Sequence, residues 1–506
     1  MREPPEFTPI GELVAAHARA RPHAPALTVG EETLSWAELG QRVEAIAQAL
    51  GREGLRPGHA IAILAASSIP HVALFLGALR AGVAVAPLPT SATPQQLAAM
   101  VADAGATLVF ADETHRAALA EVGPPARLEA LEALEGFRGE TPARPFDPCV
   151  PAEAWPGLAF NIIYSSGTTG VPKGIVHSHA MRWAHLVGGR AAGYDETAVT
   201  LLSTPLHSNT TLVAALPTLA WGGHLVLMPK FDVEEFLALS ARHRATYTML
   251  VPVQYRRILE HPRFSDFDLS SYRLKFATSA PFPAELKRAV LDRFPGGLIE
   301  YYGMTEGGGT VLVAHKHPHK LHTVGHPIPG HEILILDDQD RPLPPGEVGE
   351  IVGHSPATMT GYANRPEATA AAQWRHPDGR VFIRTGDLGR FDADGFLEIV
   401  GRKKDMIISG GFNVYPVDLE AALLDHPAVV EAAVVGVPSA RWGETPVAFV
   451  VLRHAVEPED LRAFANARLG KVQRIARVIV VPELPRSPIG KVLKRELRAQ
   501  APTDLD

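Results

Sequence analysis

Short apolar runs alternate with helical stretches through the first part of this chain, and that alternation limits the fold more than any other feature. Residues 60–64, 83–87 and 107–110 are apolar on both faces of an extended chain. Between them, 71–81 and 94–104 carry helical spacing, and Gly82 is placed to end the first of these helices. A strand that is apolar on both faces has to be covered on both. Helices lying between parallel strands provide that cover, so the predicted class is α/β. The same alternation recurs from 159 to 310, with later strands predicted at 272–278 and 297–302.

At 506 residues the chain is too long for one hydrophobic core. Its N-terminal part, residues 1–400, reads as a large domain of layered α/β subdomains. Ile10, Leu13, Val14 and His17 have helical spacing, and a hairpin is predicted around Gly30 and Glu31. Ser35 and Glu38 form a capping box ahead of a helix carrying Leu39, Val43, Ile46 and Leu50. Residues 118–156 are rich in Pro, Ala and Glu and read as peripheral. From 322 to 400, glycine and proline punctuate short strands, which suggests a small β subdomain. Residues 401–405 join this to a predicted α+β domain over 406–506, with helices at 416–424 and 457–469 and strands at 429–437, 447–452 and 477–481.

The balance of charge narrows the function. A net charge of −7 argues against a general nucleic-acid binder. The single cysteine, Cys149, can make neither an internal disulfide nor a thiolate metal cage. The first residues lack the apolar core of a signal peptide, and no run of 18 apolar residues occurs. A soluble, cytoplasmic protein without an integral membrane segment is expected.

One string carries chemistry. Residues 164–174 read Tyr-Ser-Ser-Gly-Thr-Thr-Gly-Val-Pro-Lys-Gly. Glycines let backbone N–H groups approach a ligand, hydroxyls donate to phosphate oxygens, and Lys173 adds a point charge. A strand runs into this loop from 158–163, as suits a phosphate cradle. The loop is not a Walker A sequence, because Val171 and Pro172 separate Gly170 from Lys173 and Gly174 follows the lysine.

The string resembles the phosphate loop of the adenylate-forming superfamily, which includes acyl-CoA synthetases, peptide-synthetase adenylation domains and luciferases. Further segments resemble that superfamily's motifs in order, from about residue 8 to 498. The resemblance implies that Ser165, Ser166, Gly167, Thr168, Thr169, Gly170 and Lys173 hold ATP phosphates. It implies that Glu300, Tyr301, Tyr302 and Gly303 flank the nucleotide, with Tyr302 on adenine, Thr305 at the α-phosphate and Glu306 on Mg²⁺. Ser279, Ala280 and Pro281 match the segment beneath adenine and acyl group, next to Thr278 where glycine is common. Asp387, in Arg-Thr-Gly-Asp-Leu, is implied to take the ribose hydroxyls, with Arg402 on ribose or phosphate.

Lys404 falls at the family's interdomain hinge. The resemblance implies that Gly410 and Gly411 belong to a face that admits the pantetheine of coenzyme A, and that Lys491 is the catalytic lysine of a mobile C-terminal domain. His207, in Pro-Leu-His-Ser-Asn, matches the gate beside the acyl carboxylate. Thr210, Thr211, Val253, Ala277 and Gly308 are small, which suits a roomy, mostly apolar acid cavity. The resemblance implies an acid–CoA ligase using ATP, Mg²⁺ and coenzyme A on a small-molecule carboxylic acid. Aryl, cinnamate-like and medium-chain acids all fit. A stand-alone enzyme that loads a carrier protein is the alternative. Five histidines between 315 and 326 read as a solvated loop. Oligomeric state stays open, a homodimer included.

Overall fold

The computed structural model describes residues 5–138, 145–165, 173–439, 441–470, 473–487 and 491–502. The chain divides into two compact units. The first comprises 1–321, 327–332 and 354–383; the second comprises 322–326, 333–353 and 384–506.

Two large sheets build the described part of the first unit. In one, strands run in the order Gly361–Tyr362, Lys173–Ser178, Ala159–Ser165, Ala84–Pro87, Ala60–Leu64, Ala106–Ala111 and Arg127–Ala130. Ala60–Leu64 is parallel to both Ala84–Pro87 and Ala106–Ala111, and every one of its residues is buried. The helices between them start as the sequence dictates. Ser68 Oγ accepts from His71 N ahead of Ile69–Arg80, and Thr93 forms a capping box with Gln96 ahead of Pro94–Asp103. Helix Ile69–Arg80 packs closely on helix Trp36–Arg52, where a Cβ on Gly77 would lie 2.5 Å from Ile46 Cγ2. The capping box of Ser35 and Glu38 is present.

The second sheet of this unit runs Gly309–Val313, Gly297–Gly303, Leu274–Ala277, Tyr247–Leu250, Val199–Leu202, His224–Leu227, Pro25–Val29 and Glu32–Ser35. Its inner strands are parallel, and Gly309–Val313 and Glu32–Ser35 pair antiparallel. The predicted hairpin at Gly30 and Glu31 forms, with Val29 opposite Glu32. Side chains from both sheets, Ile61 and Ile63 with Leu225 and Leu227, share one core.

Residues 118–156 are less peripheral than their composition suggests. Arg127–Ala130 adds an edge strand beside Ala106–Ala111, and Phe137 packs edge-on to Phe110 at 5.0 Å. Leu131, Leu134 and Trp155 are buried. A half-exposed edge strand has no clear two-residue period, so its polar residues concealed it.

In the second unit, residues 387–391 pair antiparallel with strand Leu397–Arg402, with Asp387 opposite Arg402. Further along, a sheet runs Phe412–Val414, Ile407–Ser409, Gly443–Leu452 and Val429–Ser439, with Arg477–Val480 parallel to Gly443–Leu452. Helix Pro416–Leu424 buries Leu419 and Leu423 against Val434, Ala448 and Val450. The α/β large part and the small C-terminal α+β part agree with the predicted class. Among the described residues no helix is long and apolar enough to cross a membrane.

Candidate active site

Strands Ala159–Ser165 and Lys173–Ser178 are antiparallel neighbours, with Ser165 opposite Lys173. The residues between them, including Ser166, Gly167, Thr168, Thr169 and Gly170, lie outside the described residues. The pairing brings Lys173 to a strand end in the first unit. Its Nζ stands 5.1 Å from the centre of the Tyr362 ring. Tyr362 reaches this position because Gly361–Tyr362 pairs with Ile175 and Val176.

The turn that carries Thr305 and Glu306 follows strand Gly297–Gly303. Three hydrogen bonds hold it within the first unit. Tyr362 Oη donates to Glu306 Oε1 at 2.9 Å, Met359 N donates to Glu306 O at 2.8 Å, and His177 Nε2 donates to Thr305 O at 2.7 Å. Gly307 is required after the turn. Its φ is +123°, and a Cβ there would meet Ala357 O at 2.7 Å.

The residues expected on the adenine side lie on this strand and on the segment that follows the neighbouring strand Leu274–Ala277. Tyr301 stacks on Phe276 at 5.8 Å, and Phe276 continues a pile with Tyr247 and Tyr194. Tyr302 is half-buried and Gly303 is exposed. Glu300 is buried and paired with Lys287 Nζ at 2.5 Å. Burial pushes the Glu300 carboxyl above its ordinary range, opposed by Lys287. Ser279 takes φ +79° and shares a 2.5 Å hydrogen bond with Thr210. Ala280 is half-buried and Pro281 exposed. Burial pulls His207 down to about 4, so its imidazole is neutral at physiological pH.

The remaining predicted residues belong to the second unit. Asp387 is buried at 6% exposure and accepts from Arg402 Nε at 2.6 Å. Its backbone N donates to Thr385 Oγ1 at 2.9 Å, and Thr385 Oγ1 donates to Ile351 O at 2.8 Å, so Asp387 is held within strand Val381–Phe391, not in a turn, just after the positive-φ Gly386. Gly410 and Gly411 take φ +58° and +82°, and Gly410 N donates to Trp442 O at 2.8 Å. Ile408, Phe412 and Trp442 are exposed on this part of the unit. Lys404 is exposed. Lys491 is also exposed, and its backbone O accepts from Ser487 N at 2.8 Å.

Tyr362 and His177 are the residues the sequence did not reveal. Neither belongs to a glycine-rich or charged string. Each meets the Thr305–Glu306 turn only through strand pairing over long separations in the chain. The five histidines of 315–326 gather no metal cage: among the described residues no three His, Cys, Asp or Glu side chains group that way.

The fold and this site define an enzyme class in which a lysine and a carboxylate stand at the strand ends of an α/β nucleotide-binding domain, followed by a small α+β domain. Residues 14–363 match the AMP-binding enzyme family, and 418–491 match the AMP-binding enzyme C-terminal domain. The chain belongs to the AMP-binding (adenylate-forming) family, within its AMP-forming acyl-CoA ligase group. It is 34% identical to a feruloyl-CoA synthase of Amycolatopsis sp over 97% of this chain and 98% of that protein. It is 31% identical to the fatty acid–[acyl-carrier-protein] ligase ScoC of Streptomyces coeruleorubidus, over 98% and 96% of the two chains. The crystal structure of ATP-bound MatB from Rhodopseudomonas palustris superimposes with a TM-score of 0.87 at 31% identity, covering 98% of this chain and 99% of that one.

Proposed function

We propose that this enzyme activates an aryl, cinnamate-like or medium-chain carboxylic acid as an acyl-adenylate and passes the acyl group to coenzyme A. In the first half-reaction the acid carboxylate attacks the ATP α-phosphorus and pyrophosphate leaves. Lys173 and the 165–170 loop hold the phosphates, Thr305 contacts the α-phosphate, and Lys491 offsets the negative charge that builds there. Tyr302 flanks adenine with Tyr301 and Gly303 beside it, over the 279–281 segment. Glu300 anchors this strand end through Lys287. Asp387 accepts from the two ribose hydroxyls while Arg402 orients it.

Glu306 suits Mg²⁺. It is a carboxylate with Oε1 steadied by Tyr362, and Mg²⁺ is commonly held by one or two carboxylates together with substrate phosphates. When bound, the ion neutralises phosphate charge. His207 stands at the acyl carboxylate as a neutral imidazole, able to donate or accept one hydrogen bond without adding charge.

In the second half-reaction the C-terminal part turns about Lys404, withdraws Lys491 and presents Gly410 and Gly411 to the pantetheine chain. The thiol attacks the adenylate carbonyl, and AMP leaves. The observation that carries this reading is that Tyr362 has Lys173 over its ring and Glu306 on its hydroxyl, in the turn bearing Thr305. The similarity to a feruloyl-CoA synthase supports an aryl or cinnamate-like acid. The similarity to ScoC supports the second reading, a carrier-protein acceptor.

The test is acid-dependent AMP release with ATP, Mg²⁺ and coenzyme A across aryl and C2–C12 acids. AMP and an acyl-CoA with one acid class are expected. Pyrophosphate release with the adenylate retained and coenzyme A unused would favour a carrier-protein loader.

A further inference from the structure

A line of buried polar side chains runs from the Thr305 carbonyl to the first turn of helix Asn209–Ala220, inside the first unit. Arg182 Nε donates to Asn161 Oδ1 at 2.8 Å, and Arg182 Nη1 donates to Asn209 Oδ1 at 2.8 Å. Asn161 Nδ2 lies 3.2 Å from His177 Nδ1, and His177 Nε2 lies 2.7 Å from Thr305 O. Asn161 and His177 are partners across the antiparallel ladder, and Arg182 sits on helix His179–Ala191, which follows directly.

The direction of every bond is fixed by its ends. A guanidinium only donates, so Asn161 turns its oxygen to Arg182 and its amide nitrogen to His177. The Thr305 carbonyl only accepts, so His177 carries its proton on Nε2 and accepts on Nδ1. The imidazole is neutral: burial and the neighbouring Arg182 charge hold it well below its ordinary value.

Asn161, His177 and Arg182 are each 0% exposed. Burying a guanidinium and two polar side chains is costly, and apolar residues of the same size often pack as well or better. Packing alone therefore does not account for this line. Its two ends do. One holds the turn carrying Thr305 and Glu306, and the other holds Asn209, two residues after His207.

We propose that His177 and Arg182 are positioning residues for adenylate formation, setting the Thr305–Glu306 turn and tying it to the loop that carries His207. This rests on the adenylation reading above. Neither side chain needs to touch substrate. A carbonyl held at one point restrains the peptide plane between Thr305 and Glu306, and with it the backbone from which both side chains project.

The experiment compares wild type with His177→Leu, His177→Gln and Arg182→Lys. Three quantities are read: melting temperature, AMP affinity at equilibrium without Mg²⁺, and pyrophosphate release with ATP and acid varied separately. His177→Leu should fold, lose about tenfold in kcat with little change in the KM for ATP, and bind AMP several-fold more weakly. His177→Gln places an N–H where Nε2 stands and should recover most of both losses. Arg182→Lys keeps a cation but not the two-handed fork, and should lose about fivefold in kcat.

Wild-type kcat and AMP affinity in His177→Leu would overturn the proposal. So would a His177→Gln protein as impaired as His177→Leu, because the donor would then not matter. If His177→Leu does not fold, undiminished kcat in Arg182→Lys overturns it. A wild-type protein inactive with every acid would count against the ligase reading instead, and the AMP-affinity comparison would still decide this one.

Discussion

Tyr362 Oη donates to Glu306 Oε1 at 2.9 Å, and the ring of the same tyrosine lies 5.1 Å from Lys173 Nζ. One phenol thus touches a carboxylate suited to Mg²⁺ and a lysine suited to phosphate. Burial and the Glu306 charge both push the phenol's pKa up, so it stays protonated and remains a donor. Tyr362→Phe removes the hydroxyl and keeps the ring. Acid-dependent pyrophosphate release should fall about tenfold, with a higher Mg²⁺ requirement, while the melting temperature changes little. A Mg²⁺ titration identical to wild type would exclude this role.

Asp387 and Arg402 form a directed pair, Nε to Oδ1 at 2.6 Å, on opposed residues of two strands. Asp387→Asn preserves the shape and removes the charge that ribose hydroxyls would meet. Hydrogen bonds to charged groups contribute roughly 1.5–3 kcal/mol, so the KM for ATP should rise roughly 10- to 100-fold. Steady-state kinetics at varied ATP checks this, and an unchanged KM would remove Asp387 from the nucleotide site.

Acid should destabilise the fold before it protonates most carboxylates. Burial holds His71, His179 and His207 near 4. In the unfolded chain each takes up its proton near the ordinary value of about 6.5. Between those two values the unfolded state binds more protons, so stability falls as pH falls through that window. Each such group costs roughly 1–2 kcal/mol at pH 5. Melting curves at pH 7.5 and pH 5 test this, and equal midpoints would contradict it.

Lys275 is 0% exposed, and its Nζ donates to the carbonyls of Phe294, Pro295 and Gly296 at 2.9, 2.6 and 2.6 Å. These carbonyls lie just past helix Ala284–Arg293, in the link to strand Gly297–Gly303. Burial pulls the ammonium down to about 7, yet three acceptors need all three of its protons. Lys275→Met should lower stability by about 3 kcal/mol by stranding those acceptors. Denaturant unfolding gives the value, and a loss under about 0.5 kcal/mol would show that the carbonyls find other partners.

Much of this is legible in the amino-acid sequence itself. Ala60–Leu64 and Pro416–Leu424 stand as their apolar spacing predicts, because the burial that shapes them is local in sequence. Capping at Ser35 is legible for the same reason, since donor and acceptor lie three residues apart. Tyr362 and His177 were not legible. Tyr362 meets Glu306 across 56 positions, and His177 meets Thr305 across 128. Only strand pairing brings those residues together, and no periodicity in either segment encodes the partner.

The two half-reactions should be separable by two lysines of the second unit. Lys491 accepts at its backbone O from Ser487 N, and its proposed task ends when pyrophosphate leaves. Lys491→Ala should therefore slow adenylate formation about 10²- to 10³-fold, the scale seen when one charge-stabilising group is lost. Thioester formation from chemically supplied acyl-adenylate should keep most of its rate. Lys404→Pro acts in the opposite sense, because proline fixes φ and resists the backbone change a rotation needs. Pyrophosphate release should survive in that variant while acyl-CoA formation falls. Single-turnover assays of each step read the difference directly. Equal loss of both steps in either variant would mean that the two lysines do not divide the work, and the rotation about Lys404 would have to be given up.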